Sequence, residues 1–586
     1  MSQRTRSALS WVLFVLGSVA CVAIAYAAYT LAGYSWDQVV SYRSPYVTPL
    51  ASASTEVSSS VGYVPPILSA KTPAPGAALT TQTVLVIVDG MRDDISRSAM
   101  PSLDTLRDYG SDMVLTAPQP ALSYPNWTTI LTGAPQTISG VTTNWWEGPV
   151  APPTIMKMAA STRTSVAVVG PEDFEELYGV KRGPLVSLRP WPKGGYLSST
   201  LVNDALRISK ESTPALLVIH LPDLDEAGHE HGGDSEEYRE VAKKIDADLG
   251  RLISGLQGDS TTFIITSDHG HIGSGGHGGW EDAVVAVPAV ITGNAVAMGM
   301  GTGTLEQIAP TVAVFAGIPV PTYATGTALR TVFTTSAPGA FAAQAEQHRR
   351  MTARQAEVIT DEAPGAPIWL KELGKRDADA ALASLTGSRL AAERAVRLPT
   401  SLLIVGAVFA LFVAVGVASW RALVSASAGV VVYYALYNGL FFWVHGYLWS
   451  LSAFNTETQV SAFMNGRMAE AIVAALVGAA TAAALYPFLR RAPRASNERR
   501  HLSGWLALAT ATVLLIQATL AVQVAWYLWW WGATITWILP DFKWAFKADL
   551  DMVQMTALGA AAVLAPAVTY VIGRVHPRVR AGRTNG

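Results

Sequence analysis

Residues 84–94 read Val-Leu-Val-Ile-Val-Asp-Gly-Met-Arg-Asp-Asp. Five apolar, mostly β-branched residues run into an acid and then a glycine. Such a run reads as a buried strand that delivers a carboxylate, Asp89, at its C-terminal end. Open α/β sheets gather their chemistry at that edge. Three later stretches carry groups that can converge on Asp89: Leu122-Ser123-Tyr124-Pro125-Asn126, Asp225 to His229, and Asp268-His269 with His277. Acids, imidazoles and one hydroxyl gathered at strand ends imply a metal site with a nucleophile.

An acid and a histidine four apart on a helical turn, Asp225 and His229, face the same way and can share one metal. A solvated acidic loop would account for the same stretch, since Asp223, Glu226, Glu230 and His231 crowd it. Asp223 is the rival ligand, at a spacing less suited to one turn. Asp268 and His269 follow an apolar run at 261–266, with Gly270 relieving the turn. His277 stands in a run of glycines, 273–279, where the backbone can be approached closely. His271 and His231 read as outer-sphere or surface residues. Ser123 is the one hydroxyl nominated as nucleophile. A hydroxyl is a weak nucleophile unless a base or a metal activates it. No Ser-His-Asp arrangement is legible, which leaves metal activation.

The chain has 586 residues, too many for one core, so two or more domains are expected. A net charge of −2 gives no reason to expect nucleic-acid binding. Apolar residues make up 50% and charged residues 15%, which implies a large membrane portion. The single cysteine, Cys21, excludes an internal disulfide and thiolate metal ligation. Any metal must be held by His, Asp, Glu or a hydroxyl.

Residues 1–33 read as an N-terminal transmembrane anchor, with a cleaved signal peptide as the rival because Ala25-Tyr26-Ala27 resembles a cleavage site. Residues 34–82 are a Ser/Pro/Ala-rich linker. Residues 83–335 form an α/β domain, with strands at 83–88, 164–169, 215–221, 261–266 and 284–292 alternating with helices such as 236–256. That alternation implies a mostly parallel sheet covered by helices on both faces. Residues 336–400 are a helical connector. Residues 401–586 form an all-α transmembrane domain of about five helices, near 401–420, 422–449, 469–489, 503–528 and 552–573. Arginines cluster at 4–6, 421, 490–500 and 574–583, all on one side if six spans are counted. That asymmetry puts both termini in the cytoplasm and the α/β domain outside the cell membrane. The tryptophans at 526 and 529–531 suit the outer interfacial belt.

Together these stretches resemble the alkaline phosphatase superfamily, most of all its nucleotide pyrophosphatase/phosphodiesterase branch. The resemblance rests on Val88-Asp89-Gly90, Ser123-Tyr124-Pro125-Asn126, Thr132-Gly133-Ala134-Pro135 with Gly140, Asp225 with Gly228-His229, Asp268-His269-Gly270 and His277. The segment 308–321 is similar to the superfamily's closing helix and loop. The resemblance covers about residues 83–330. It implies two divalent metal ions, zinc with manganese as the alternative. One would be held by Asp89, Ser123, Asp268 and His269, the other by Asp225, His229 and His277. It implies that Ser123 forms a phosphoserine-type intermediate and that Asn144 helps hold the phosphoryl oxygens. Two departures matter. The branch usually has Thr where this chain has Ser123, and the stretch between His269 and His277 is too short for the insertion many relatives carry. The sulfatase pattern C-x-P-x-R is absent. In architecture the spans after the domain are similar to glycolipid phosphoethanolamine transferases.

The expected function is a membrane-bound phosphodiesterase or phosphotransferase acting on a lipid or lipid-linked glycan phosphodiester in contact with membrane lipids. The alternatives are a nucleotide or small-molecule phosphodiesterase merely anchored in the membrane, and a non-enzymatic transporter or assembly factor. Head group, acceptor and oligomeric state are left open by the sequence.

Overall fold

The computed structural model describes residues 3–47, 66–69, 75–191, 195–258, 260–360, 377–489 and 498–582. Residues 48–65 and 70–74 of the expected linker, with Arg490, Arg491, Arg494 and Arg583, lie outside the described residues. One eight-stranded sheet organises the α/β domain: β1 Gln82–Val88, β2 Ser111–Thr116, β3 Val166–Pro171, β4 Val186–Arg189, β5 Leu216–Leu221, β6 Thr261–Thr266, β7 Ala286–Gly293 and β8 Gly299–Thr304. Their order is β4-β3-β5-β1-β6-β7-β2-β8. β1 lies between β5 and β6 and is parallel to both. Only β7 runs against its neighbours β6 and β2.

Every residue of β1 is buried. Its alternate side chains enter two different cores, as a central strand requires. Leu85 and Ile87 pack with Ile308, Val312 and Phe315 on one face. Val84, Val86 and Val88 pack with Ile245, Leu249 and Tyr238 of the helix Glu236–Leu256 on the other. Each such fully buried aliphatic contributes roughly 1.5–3 kcal/mol.

Three strands escape the apolar patterning of the sequence. β8 reads Gly-Met-Gly-Thr-Gly-Thr and is an edge strand with no buried residue. β4 has four residues. The third, β2, begins Ser-Asp and is recruited by pairing with β7 and β8. Pairing partners, not propensity, make these strands.

Among the described residues, six helices are long and apolar enough to cross a membrane: Ser10–Val40, Ala378–Ala418, Trp420–Val444, Val460–Pro487, Gly504–Trp530 and Phe542–Val571. That number fits a multi-pass membrane protein. The first helix continues past Gly33 to Val40. Small residues let the helices approach closely: a Cβ at Gly429 would lie 2.6 Å from the Gly478 carbonyl oxygen. Gln517 Nε2 donates to the carbonyls of Cys21 and Met555, tying the first helix to the C-terminal ones.

The helical bundle touches the α/β domain in more than one place. Residues 41–47 follow the first helix onto the Gln136–Gly140 turn, where Tyr42 Oη and Ser44 Oγ donate to the Thr137 carbonyl. A loop at 445–459, between the third and fourth apolar helices, packs against the glycine run 273–279.

Candidate metal centre

Asp89 leaves the end of β1, Asp225 and His229 come from the helix Asp223–His231 that follows β5, and Asp268 and His269 follow β6. The three middle strands of the sheet therefore aim their C-terminal ends at one point. Ser123 opens the helix Ser123–Thr132, and His277 enters from the glycine run. All the residues read as ligands are brought together.

Around Ser123, His269 Nε2 lies 3.3 Å from Ser123 Oγ, 3.4 Å from Asp89 Oδ1 and 3.3 Å from Asp268 Oδ2. Asp89 Oδ1 and Asp268 Oδ2 are buried and have no hydrogen-bond partner among the described residues. The other oxygen of each carboxylate is engaged: Asp89 Oδ2 lies 3.0 Å from His220 Nε2, and Asp268 Oδ1 accepts from Gly90 N. Orphaned carboxylate oxygens beside an imidazole nitrogen are what a cation seat requires, because a buried unpaired charge is costly.

On the other side, His229 Nε2 lies 3.4 Å from Asp225 Oδ2 and 3.3 Å from His277 Nε2, and His277 Nε2 is 3.8 Å from Asp225 Oδ1. His277 Nδ1 donates to the Ala121 carbonyl, which leaves Nε2 as the lone-pair nitrogen. His269 and His277 stack with ring centroids 3.7 Å apart. Among the described residues, the donor atoms form three overlapping groups able to hold an ion: Asp89-Asp268-His269, Asp225-His269-His277 and Asp225-His229-His271. The residues fit divalent metal.

Electrostatics report the same crowding. Burial and the Asp268 and Asp225 carboxylates push Asp89 well above the usual carboxylate range, and burial also raises Asp268. Burial would raise Asp225 too, but His229 and His271 beside it hold it well below. Against burial, Asp225 and Asn455 carry His229 up to about 9. Burial, with His269 next to it, lowers His277.

Asp223, the rival ligand, serves elsewhere. Its carboxylate accepts from the Leu197 and Ser198 backbone N–H groups and from the Ser198 hydroxyl, at the start of the helix Ser198–Ser212. His231 is exposed. His271 is buried against this cluster of donor side chains, with Nε2 2.9 Å from Asp225 Oδ1. Two glycines make room for it. A Cβ at Gly228 would lie 2.4 Å from its ring, and one at Gly90, whose φ is +72°, 3.0 Å from its Nε2. The Asp-His-Gly-His run carried the signal for His271.

His220 was missed by the sequence reading. It sits in β5 among apolar residues, packed on Trp127 at 4.5 Å between ring centroids, and it orients Asp89. A lone polar residue in an apolar strand was the available clue. Asn144 accepts from Tyr124 N through Oδ1 at 3.0 Å, placing it beside the N-terminal end of the Ser123 helix. Asn126 donates to the Asp268 carbonyl.

Residues 83–161 and 185–275 match the family described as type I phosphodiesterase / nucleotide pyrophosphatase. Both matched stretches lie within the α/β domain. Mouse GPI ethanolamine phosphate transferase 1 is 25% identical over 253 residues, covering 38% of this chain and 27% of that one. An uncharacterized pyrophosphatase/phosphodiesterase of Schizosaccharomyces pombe is 25% identical over 232 residues, covering 33% and 46%. The chain thus spans about a quarter to a half of the length of these curated relatives. Among solved structures, human ectonucleotide pyrophosphatase / phosphodiesterase 5 is similar at a TM-score of 0.36 and 15% identity, over 40% of this chain and 95% of that one.

Proposed function

We propose that the chain is a membrane-embedded, metal-dependent phosphodiesterase or phosphotransferase whose nucleophile is the Ser123 hydroxyl. The observation that carries this reading is the position of Ser123 Oγ. It stands at a helix N-terminus, 3.3 Å from His269 Nε2, beside two carboxylate oxygens without partners. The helix end favours an anionic phosphoryl group. Asn144, with Oδ1 engaged by Tyr124 N–H, turns its amide nitrogen into a donor for a phosphoryl oxygen. Asp225, His229 and His277 would hold one divalent cation, and Asp89, Asp268, His269 and Ser123 the other. Zinc suits these donors, and manganese is compatible with them. Bound there, such ions supply Lewis-acid stabilisation of charge on the phosphoryl, attacking and leaving oxygens. His220 and His271 orient the Asp89 and Asp225 carboxylates. Attack by Ser123 Oγ forms a phosphorus–oxygen bond and breaks the one to the leaving alcohol, which takes up a proton. Water or an acceptor alcohol then releases the phosphoryl group and returns the hydroxyl.

A lipid or lipid-linked glycan phosphodiester is the substrate class this reading favours. One span would tether the domain, and six apolar helices exceed that need. The bundle loop at 445–459 also reaches the metal centre itself. The likeness to the mouse GPI ethanolamine phosphate transferase supports the same class. The arginine distribution supports an external α/β domain with cytoplasmic termini. The intact donor set speaks against a non-enzymatic role.

The test is full-length protein in detergent, loaded with zinc, given a chromogenic small diester and a phosphoethanolamine-bearing lipid in parallel. Phosphoserine trapping by mass spectrometry locates the intermediate. Label on Ser123 and turnover of the lipid support the reading. Label on another residue, or undiminished turnover after exhaustive chelation, sinks it. Cleavage of the small diester alone leaves an anchored diesterase.

A further inference from the structure

The side chain of Asn455 is the one feature of the helical bundle that bonds to a candidate metal ligand among the described residues. Asn455 lies in the 445–459 loop, and its Oδ1 is 3.0 Å from His229 Nδ1. Its Nδ2 donates to the backbone carbonyl of the same histidine. The two bonds together fix more than position. A carbonyl oxygen cannot donate, so the amide nitrogen of Asn455 must face it, and the amide cannot be turned round. Oδ1 is therefore the atom that meets His229 Nδ1, and an oxygen acceptor there requires the proton on Nδ1. When His229 is neutral, its lone pair is then on Nε2, the nitrogen that faces Asp225 and His277.

The glycine run explains how a loop of the bundle comes this close. A Cβ at Gly275 would lie 2.7 Å from Asn455 Oδ1, and one at Gly276 2.5 Å from the Ser452 carbonyl. Both glycines have positive φ, +86° and +85°. Ser452 Oγ accepts from Gly279 N and donates to Glu281, and Trp280 Nε1 donates to the Trp449 carbonyl. The segment that carries His277 is thus moulded to the bundle loop.

We propose that Asn455 is a positioning residue of the metal centre, holding His229 in its metal-binding tautomer, so that the helical bundle completes the site. Outer partners of ligating histidines change metal affinity by roughly 10–100-fold when removed. The inference rests on His229 being a ligand, and the experiment separates the two.

Full-length Asn455→Leu, Asn455→Asp, Ser452→Ala and His229→Ala are compared by zinc competition against a chromophoric chelator and by zinc stoichiometry. Asn455→Leu should bind one zinc at least about 10-fold more weakly and leave the other unchanged. Asn455→Asp keeps an acceptor at Nδ1 and should recover part of that loss. Ser452→Ala loosens the loop without touching His229 and should leave zinc affinity within about 2-fold. In turnover, Asn455→Leu should lower kcat at saturating zinc more than it raises KM. Full zinc affinity in Asn455→Leu, with His229→Ala depleted, overturns the role of Asn455. An equal loss in Ser452→Ala reduces Asn455 to loop docking and also overturns it. Full zinc loading in His229→Ala shows instead that His229 is no ligand, and the metal reading of that histidine fails first.

Discussion

Nε2 of His229 and Nε2 of His277 face each other at 3.3 Å. Each ring has an acceptor on its Nδ1 side, the Asn455 amide oxygen for His229 and the Ala121 carbonyl for His277. Two neutral imidazoles in this arrangement would oppose lone pair to lone pair. Only a proton or a cation between them makes it favourable, and Asp225 beside both supplies the charge that attracts one.

His277→Ala and Asp89→Ala should therefore each deplete metal, but from different donor sets. Zinc content measured by mass spectrometry of the purified protein is expected near one ion per chain in each variant. Two ions retained in either variant would remove that residue from the ligand set.

Ser123→Ala should leave a folded, metal-loaded protein with diester turnover reduced on the order of 10⁴-fold or more, as when other covalent nucleophiles are removed. Steady-state kinetics and intact-mass phosphoryl trapping check it. Substantial turnover in the variant would place the intermediate on another hydroxyl.

The dependence on pH follows from the histidines held neutral. Burial lowers His220 to about 3 and His271 to about 4, and lowers His277 as well. Unfolded histidine takes a proton near about 6.5, so these three contribute stability above that pH and lose it as pH falls toward the folded values. Asp89 and Asp268 are raised and run the other way in metal-free protein, gaining protons that relieve their repulsion. A bound cation cancels that relief and competes with protons for the histidines. Melting temperature should thus fall more steeply between about pH 7 and 5 in zinc-loaded than in chelated protein. Parallel slopes in differential scanning fluorimetry would contradict this.

Gly228→Ala places a methyl group 2.4 Å from the His271 ring and should destabilise by roughly 1–3 kcal/mol through overpacking. In a His271→Ala background the added cost should shrink, because the clashing ring is gone. Denaturant unfolding of the four proteins gives the coupling. Additive effects would mean that Gly228 matters for another reason.

The sheet's centre and the donor types are legible along the chain. Apolar β-branched runs ending in acids specify buried strands with chemistry at their C-terminal ends, and β1, β5 and β6 follow that rule because they lie in the middle of the sheet. Spacing alone put Asp225 and His229 on one helical turn. Tertiary structure decided what spacing could not. Asp223 and Asp225 are two residues apart, and only packing shows that the first meets the backbone at 197–198 while the second meets four histidines, His229, His269, His271 and His277. β8 exists because β2 offers it an edge, not because Gly-Met-Gly-Thr-Gly-Thr prefers a strand. His220 and Asn455 lie far along the chain from the side chains they bond, Asp89 and His229. No local pattern links them, because a hydrogen bond between distant segments depends on where the sheet, the glycine run and the bundle loop come to rest against one another.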